Sequence, residues 1–356
     1  MTENNVHICI LCIVCRYVNL GGRKILVFYL AMRKNFLYDL NDNEQKGCHM
    51  YKYSKFRQIC ATVAGCFGKT RAARRLHRDR VRYHGLISTV GQTMIPRKKY
   101  PEKIPMAFCF DARGCKMAAV TLKSLLLASK DRCDYDVYCV VTPDVDEKMR
   151  DIIRGVTVGT DSVVNFVLGN NDFDESWRGN WPVAMWYRLM LPKLLPNVDR
   201  IIYADIDILL CRDLIDIYEL ELGNNLIAAV PTRTNKYFNS GFLLMDLAGI
   251  RREGMYEKWV TESKTHQYKN PDQDVLNYTL QGRVQFLPLR YNFQLSHGSR
   301  IFKIYSAIEL DDLKHNLTVL HYSDYMKPWH DADCRPVFSE LWWNVARQTG
   351  LFPEDK

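Results

Sequence analysis

An α/β fold built on a mostly parallel sheet is the architecture this sequence predicts, on three observations. Between residues 104 and 330, short apolar runs alternate with segments of helical spacing. Several of those runs end in an acid or a histidine, as happens where ligands gather outside the carboxyl ends of parallel strands. The chain of 356 residues, 47% hydrophobic and 25% charged, is long enough to bury a substantial core.

The first run, IPMAFCFD (104–111), closes on Asp111. KMAAVTLKSLLLAS (116–129) has helical spacing, and YDVYCVVT (135–142) is the next strand. In PDVDEKMRDIIRGV, Pro143 and Asp144 are placed to open a helix. SVVNFVL (162–168) predicts a third strand and PVAMWYRLMLPKLLP (182–196) a helix. RIIYADIDIL (200–209) then reads as one strand buried on both faces. Alternation of this kind implies βαβ units with right-handed crossovers. Further along come a strand-like run, YFNSGFLLMDL (237–247), and a helical pattern opened by Asp272, Gln273 and Asp274. In LTVLHYSDYMKPWH (317–330), His321 ends another apolar strand and is followed by Lys327 and Trp329.

Asp205 and Asp207 interrupt the apolar run at 200–209. Period-two alternation puts both on one face of an extended segment, with Ile206 on the other. Converging carboxylates repel each other unless a cation lies between them. Hard oxygen ligands select Mn²⁺ or Mg²⁺, which in turn hold a diphosphate. In the duller reading one Asp caps the next helix, although Asp213 in CRDLIDIYEL is better placed for that cap. Taken singly, His321 reads as a core histidine, Lys327 as a surface lysine, and Asp272 and Gln273 as helix-cap residues. Trp329, Trp342 and Trp343 read as core rather than as a sugar platform. Only the joint pattern points to a site.

In their order, the motifs R-I-I-Y-A-D-I-D, F-N-S-G, D-Q-D-V-L-N and H-Y-x-x-x-x-K-P-W resemble the retaining glycosyltransferases of family 8, over about residues 104–345. That family includes bacterial lipopolysaccharide glucosyl- and galactosyltransferases and, more distantly, glycogenin. The resemblance implies a GT-A-like (Rossmann-like) catalytic domain over 101–356. It also implies transfer of glucose or galactose from a UDP-sugar to a saccharide or glycolipid acceptor. Asp205, Asp207 and His321 are the implied ligands of Mn²⁺, with Mg²⁺ as the alternative. Asp111, Arg188, Asp205 and Lys327 form the implied donor-binding set: Asp111 near uracil and ribose, Arg188 near the donor sugar, Lys327 at the diphosphate. Asn239, Asp272 and Gln273 are implied to surround the transferred sugar, Gln273 in front of the anomeric carbon. Two positions depart from the family pattern. The run Asp111-Ala-Arg-Gly lacks the usual second acid or Asn, and Asp324 stands where the family has glycine. A glycogenin-like or protein-directed glucosyltransferase is the alternative within enzymes. A nucleic-acid-binding protein with a basic arm is the alternative outside them.

The formal net charge of +9 is uneven. Residues 1–100 hold 19 Lys and Arg against 5 Asp and Glu, a net +14, whereas the rest hold 30 against 35, a net −5. The stretch KTRAARRLHRDRVRYH (69–84) fits a solvated arm, contact with anionic lipid headgroups, or contact with nucleic acid. No nucleic-acid-binding motif accompanies it, so no nucleic-acid partner is expected. Residues 1–100 are expected to be a basic extension, poorly ordered or resting on membrane. Alternatively they lie upstream of a natural start at Met94. Cys9-x-x-Cys12-x-x-Cys15 lacks a convincing fourth metal ligand. The scattered cysteines, the broken run HICILCIVCRYV and the nine-residue KILVFYLAM give neither a disulfide framework nor a membrane span. The expected location is cytoplasmic, with the inner face of the membrane as the surface for the arm.

Overall fold

A computed structural model describes residues 99–170, 172–173, 182–232, 237–295, 306–323, 327–330, 336 and 338–352, and the backbone of 12–20 and 23–31. The chain divides into two compact units, 1–63 and 64–356. In the first, β1 (Cys12–Leu20) and β2 (Arg23–Ala31) pair antiparallel, from Cys12 opposite Ala31 to Leu20 opposite Arg23. The apolar runs at 7–18 and 24–32, read from sequence only as unable to span a membrane, thus contribute paired strands. The basic stretch 69–84, Cys9, Met94 and Asp324 lie outside the described residues. Among the described residues, no helix is long and apolar enough to cross a membrane.

The second unit runs β3 (Ile104–Phe110), α1 (Cys115–Ala128), β4 (Tyr135–Val141), α2 (Glu147–Val156), β5 (Val163–Leu168), α3 (Tyr187–Leu194), β6 (Arg200–Ala204) and β7 (Ile208–Leu210). A short helix, α4 (Ile215–Tyr218), leads to β8 (Ile227–Pro231) and β9 (Phe238–Asp246). Then come α5 (Leu247–Arg252), α6 (Met255–Thr265), α7 (Pro271–Thr279), β10 (Val284–Phe286) and β11 (Phe293–Gln294). The last elements are α8 (Ala307–Asn316), β12 (Val319–His321) and α9 (Ser339–Arg347). The main sheet has the order β10-β8-β9-β6-β3-β4-β5. Its neighbours run parallel except at β9, which is antiparallel to both β6 and β8. A second sheet, β11-β12-β7, stands apart.

Strand alternation divides the core into two layers. Met106, Phe108 and Phe110 of β3 pack with Ile202 and Ala204 of β6 against α1, while Ala107, Cys109, Ile201 and Tyr203 face α3, α5, α6 and α7. This is the helix-covered, mostly parallel α/β sheet that the alternation of elements predicts. Trp342 and Trp343 are buried in the first layer, and half-buried Trp329 packs against that core, tilted against Trp342 at 5.3 Å.

Two local readings are corrected. α2 opens at Glu147 rather than at Pro143, because Asp146 accepts from the Met149 N–H at 2.8 Å and caps the helix, while Asp144 accepts from the Thr142 hydroxyl. RIIYADIDIL is two strands in two sheets. The ladder with β9 ends at Ala204–Phe242, and the chain turns through Asp205, Ile206 and Asp207 before β7 pairs with β12. Asp213 accepts from the Ile215 N–H at 3.3 Å, but Leu214 holds the N-cap of α4 and no side chain caps that helix, so the capping role expected of Asp213 is corrected as well.

Candidate active site

The turn between β6 and β7 is anchored at each residue. The Asp205 N–H donates to Gly241 O at 2.8 Å, and Asp207 O accepts from the Tyr322 N–H at 3.0 Å. The hydroxyl of buried Thr121, on α1, lies 2.9 Å from the carbonyl oxygens of both Ile206 and Ile208. Gly241 is required by close approach. A Cβ there would come within 2.4 Å of His321 Cε1 and 2.7 Å of Asp205 Oδ2. The aspartates therefore converge through a clamped turn at a sheet end, not through the pleat of one strand.

Candidate ligand atoms of Asp205, Asp207 and His321 all lie within 4.8 Å of one another. His321 Nε2 is 3.1 Å from Asp207 Oδ1 and 3.9 Å from Asp205 Oδ2. The imidazole is 2% exposed, and its Nδ1 lies 2.9 Å from Asn292 Oδ1. An amide oxygen only accepts, so Nδ1 carries a proton, and Nε2 is the ring nitrogen turned toward the acids. Asp207 Oδ1 is buried and has no hydrogen-bond donor. Carboxylate oxygens beside an imidazole nitrogen at that range are a ligand set that could hold a divalent cation. Lys327 takes the other oxygen of Asp207 at 2.6 Å and also donates to Tyr322 O. Burial pushes the Asp207 carboxyl up, but Lys327 and His321 outweigh it and hold the group well below the usual carboxylate range.

Arg188, from α3, lies beneath this cluster, buried against the face of Tyr203 with 4.7 Å to the ring centroid. Its Nη2 reaches Asp205 Oδ1 at 2.9 Å, and its Nε reaches Asp272 Oδ2 at 3.1 Å. Its Nη1 donates to the backbone and side-chain oxygens of Ser240 at 2.9 and 3.1 Å. The guanidinium is thus an internal tie between Asp205 and Asp272. Burial alone would lower its pKa, but the two carboxylates raise it. Burial raises the Asp272 carboxyl, and Arg188 offsets only part of this. Asp272 opens the first turn of α7, yet it bonds Arg188 and Ser240 rather than capping the helix.

Gln273 also turns away from a capping role. Its Oε1 accepts from Asn239 Nδ2 at 3.0 Å and from the Ser240 N–H at 3.1 Å, and its Nε2 donates to the Tyr237 hydroxyl at 2.8 Å. Asn239 Oδ1 accepts from the Gly241 N–H and from Asn292 Nδ2. Asp205, Arg188, Asp272, Gln273, Asn239 and His321 are therefore joined through Ser240 and Asn292, and the Asp207–Lys327 pair lies against His321. Asp111 stands outside it, at the end of β3, where its carboxylate accepts from the Gly114 N–H and pairs with Arg113. Sequence reasoning missed Asn292, Ser240, Tyr203, Tyr237 and Thr121. For Asn292 there was a signal, an amide set between two aromatic residues, Tyr291 and Phe293.

The family model described as "Glycosyl transferase family 8" matches residues 105–333. A lipopolysaccharide 1,2-glucosyltransferase of Escherichia coli (strain K12) is 31% identical, covering 49% of this chain and 57% of the relative. Glycosyltransferase GlyE of Streptococcus pneumoniae serotype 4 is 27% identical, covering 52% of this chain and 47% of that one. The chain thus spans about half the length of these curated relatives. Among solved structures, the galactosyltransferase LgtC in complex with donor and acceptor sugar analogues superposes with a TM-score of 0.60 at 24% identity, over 71% of this chain and 98% of its own. That likeness shows a GT-A-like fold. The match at 105–333 spans the turn, the amide cluster and His321 together, and the chain belongs to glycosyl transferase family 8.

Proposed function

We propose that this protein is a retaining, divalent-metal-dependent glycosyltransferase that moves glucose or galactose from a UDP-sugar to a saccharide or glycolipid acceptor of the cell surface. One observation carries the proposal: the donor-less, buried Asp207 Oδ1 lies 3.1 Å from His321 Nε2, with Asp205 alongside. Asp205, Asp207 and His321 would hold Mn²⁺ or Mg²⁺, which supplies positive charge to a departing diphosphate. Lys327, already drawn to Asp207, adds a second positive charge on the same side. Asn239 and Gln273 offer amide groups, which suit a sugar passing through an oxocarbenium-like state. Arg188 acts through Asp205 and Asp272, holding both carboxylates in position. The name of the E. coli relative favours a hexose donor and a lipopolysaccharide acceptor. The net +14 of residues 1–100 favours an arm on anionic lipid, outside a catalytic region over 101–356.

The test is release of UDP from a panel of UDP-sugars by the full chain with Mn²⁺. Slow hydrolysis of UDP-glucose or UDP-galactose, abolished by EDTA, is expected. Absence of turnover on every donor, with salt-sensitive nucleic-acid binding instead, overturns the proposal.

A further inference from the structure

We infer that Asn292 is a positioning residue that sets the tautomer of His321 and couples the metal ligands to the sugar-side amides. It lies between the turn Leu289–Tyr291 and β11, and it is fully buried. Its Oδ1 is 2.9 Å from His321 Nδ1, and its Nδ2 is 2.9 Å from Asn239 Oδ1. One amide therefore bridges the two halves of the site.

The direction of every bond in this bridge follows from groups that cannot be reversed. A backbone N–H only donates, so the atom of Asn239 facing the Gly241 N–H is its oxygen, and the atom of Gln273 facing the Ser240 N–H is its oxygen. The amide nitrogen of Gln273 donates to the Tyr237 hydroxyl, which in turn donates to the Asp274 carboxylate oxygen. Asn239 Nδ2 then donates to Gln273 Oε1, and Asn239 Oδ1 accepts from Asn292 Nδ2. This leaves the oxygen of Asn292 for His321, so Nδ1 must carry the proton and Nε2 is free to ligate. The relay reaches from Asp274 to the candidate metal site and orients each member in turn. Partners of this kind fix the ring orientation and basicity of metal-binding histidines, and their loss typically costs about 10–100-fold in metal affinity.

The inference rests on the proposed metal site, and the two can fail separately. Mn²⁺ is titrated into the full chain, and free Mn²⁺ is read by electron paramagnetic resonance for wild type, N292A and N292D. The aspartate still accepts from His321 Nδ1 but cannot donate to Asn239 Oδ1, and it sets two acceptors against each other there. Expected for N292A is Mn²⁺ affinity about 10–100-fold weaker. N292D should bind Mn²⁺ within about threefold of wild type or tighter, because a carboxylate is the stronger partner for the imidazole. Its turnover of UDP-sugar should nevertheless fall at least about tenfold, through the disturbed Asn239–Gln273 pair. If wild type binds no Mn²⁺, the metal reading falls and takes this inference with it. If wild type binds but N292D loses as much affinity as N292A, the tautomer role alone is overturned. If N292D turns over like wild type, the coupling to the sugar side is overturned. Should N292A not fold, a tenfold loss of Mn²⁺ affinity in N292D overturns the inference by itself.

Discussion

Around Arg188 every guanidinium nitrogen has a partner, whereas around Asp207 one carboxylate oxygen has none. The two regions touch through neighbouring aspartates, Asp205 on the arginine and Asp207 on the lysine. In the first, Arg188 ties Asp205, Asp272 and Ser240 together through hydrogen bonds from every nitrogen of its guanidinium. A region closed in this way keeps its shape without a ligand. In the second, Lys327 takes one oxygen of Asp207 and leaves Oδ1 buried beside His321 Nε2 without a donor, an arrangement open to something that binds. The contrast teaches that the same chemistry, buried carboxylates beside cations, serves as scaffold where it is saturated and as a site where it is one partner short.

Breaking the closed region should have the largest effect. Arg188→Met leaves the buried Asp272 carboxylate without its cation, and removing one partner of a buried pair costs about 3–5 kcal/mol. Burial already raises Asp272 in the folded protein, and losing Arg188 raises it further. The folded state then holds a proton that the unfolded state releases above about pH 4, so the deficit should widen as pH rises toward neutrality. Urea denaturation of both proteins between pH 4 and 8 measures this. A deficit independent of pH would show that Asp272 is not the group left unpaired.

Closing the open region comes next. Asp207→Asn lets a side-chain N–H point at His321 Nε2, satisfying the site from within. Turnover of UDP-sugar should fall about 10²–10³-fold, the scale for losing one preorganised electrostatic group. Mn²⁺ should raise the melting temperature of wild type but not of this variant. Because the Asp207 carboxyl is held low in the folded protein, its ionised form contributes stability that is complete above about pH 4 and is lost as pH falls through the folded value. The variant should therefore be less stable than wild type at neutral pH, with a flatter acid limb. A stability gain from relieved repulsion between Asp205 and Asp207 would contradict the compensation by Lys327.

The smallest expected effect tests the clamp shared by both regions. Thr121→Val keeps the shape of the side chain but removes the hydroxyl beside the Ile206 and Ile208 carbonyls, at about 1–2 kcal/mol. Donor KM and Mn²⁺ affinity should both weaken, since Asp205 and Asp207 lie on the same turn. A shift in only one would mean that the turn is held independently at its two ends.

The sequence by itself determined the kinds of element and the membership of most of the site. Runs such as IPMAFCF and YDVYCVV carry their burial pattern locally, and Asp205, Asp207, His321 and Lys327 stand at or just beyond the ends of such runs, where an α/β sheet gathers ligands. Tertiary structure alone decided that 200–209 breaks at Asp205, that β9 runs antiparallel, and that Arg188 lies under the site as a tie. It also decided how His321 is held, through a contact with Asn292 that no motif marks. Hydrophobic period is set by neighbours three or four residues away. Charge balance and hydrogen-bond direction are set by groups from distant segments: the turn at Asp205 depends on Gly241 and on Thr121, 85 residues from Ile206, and the open oxygen of Asp207 exists only once β12 brings His321 beside it.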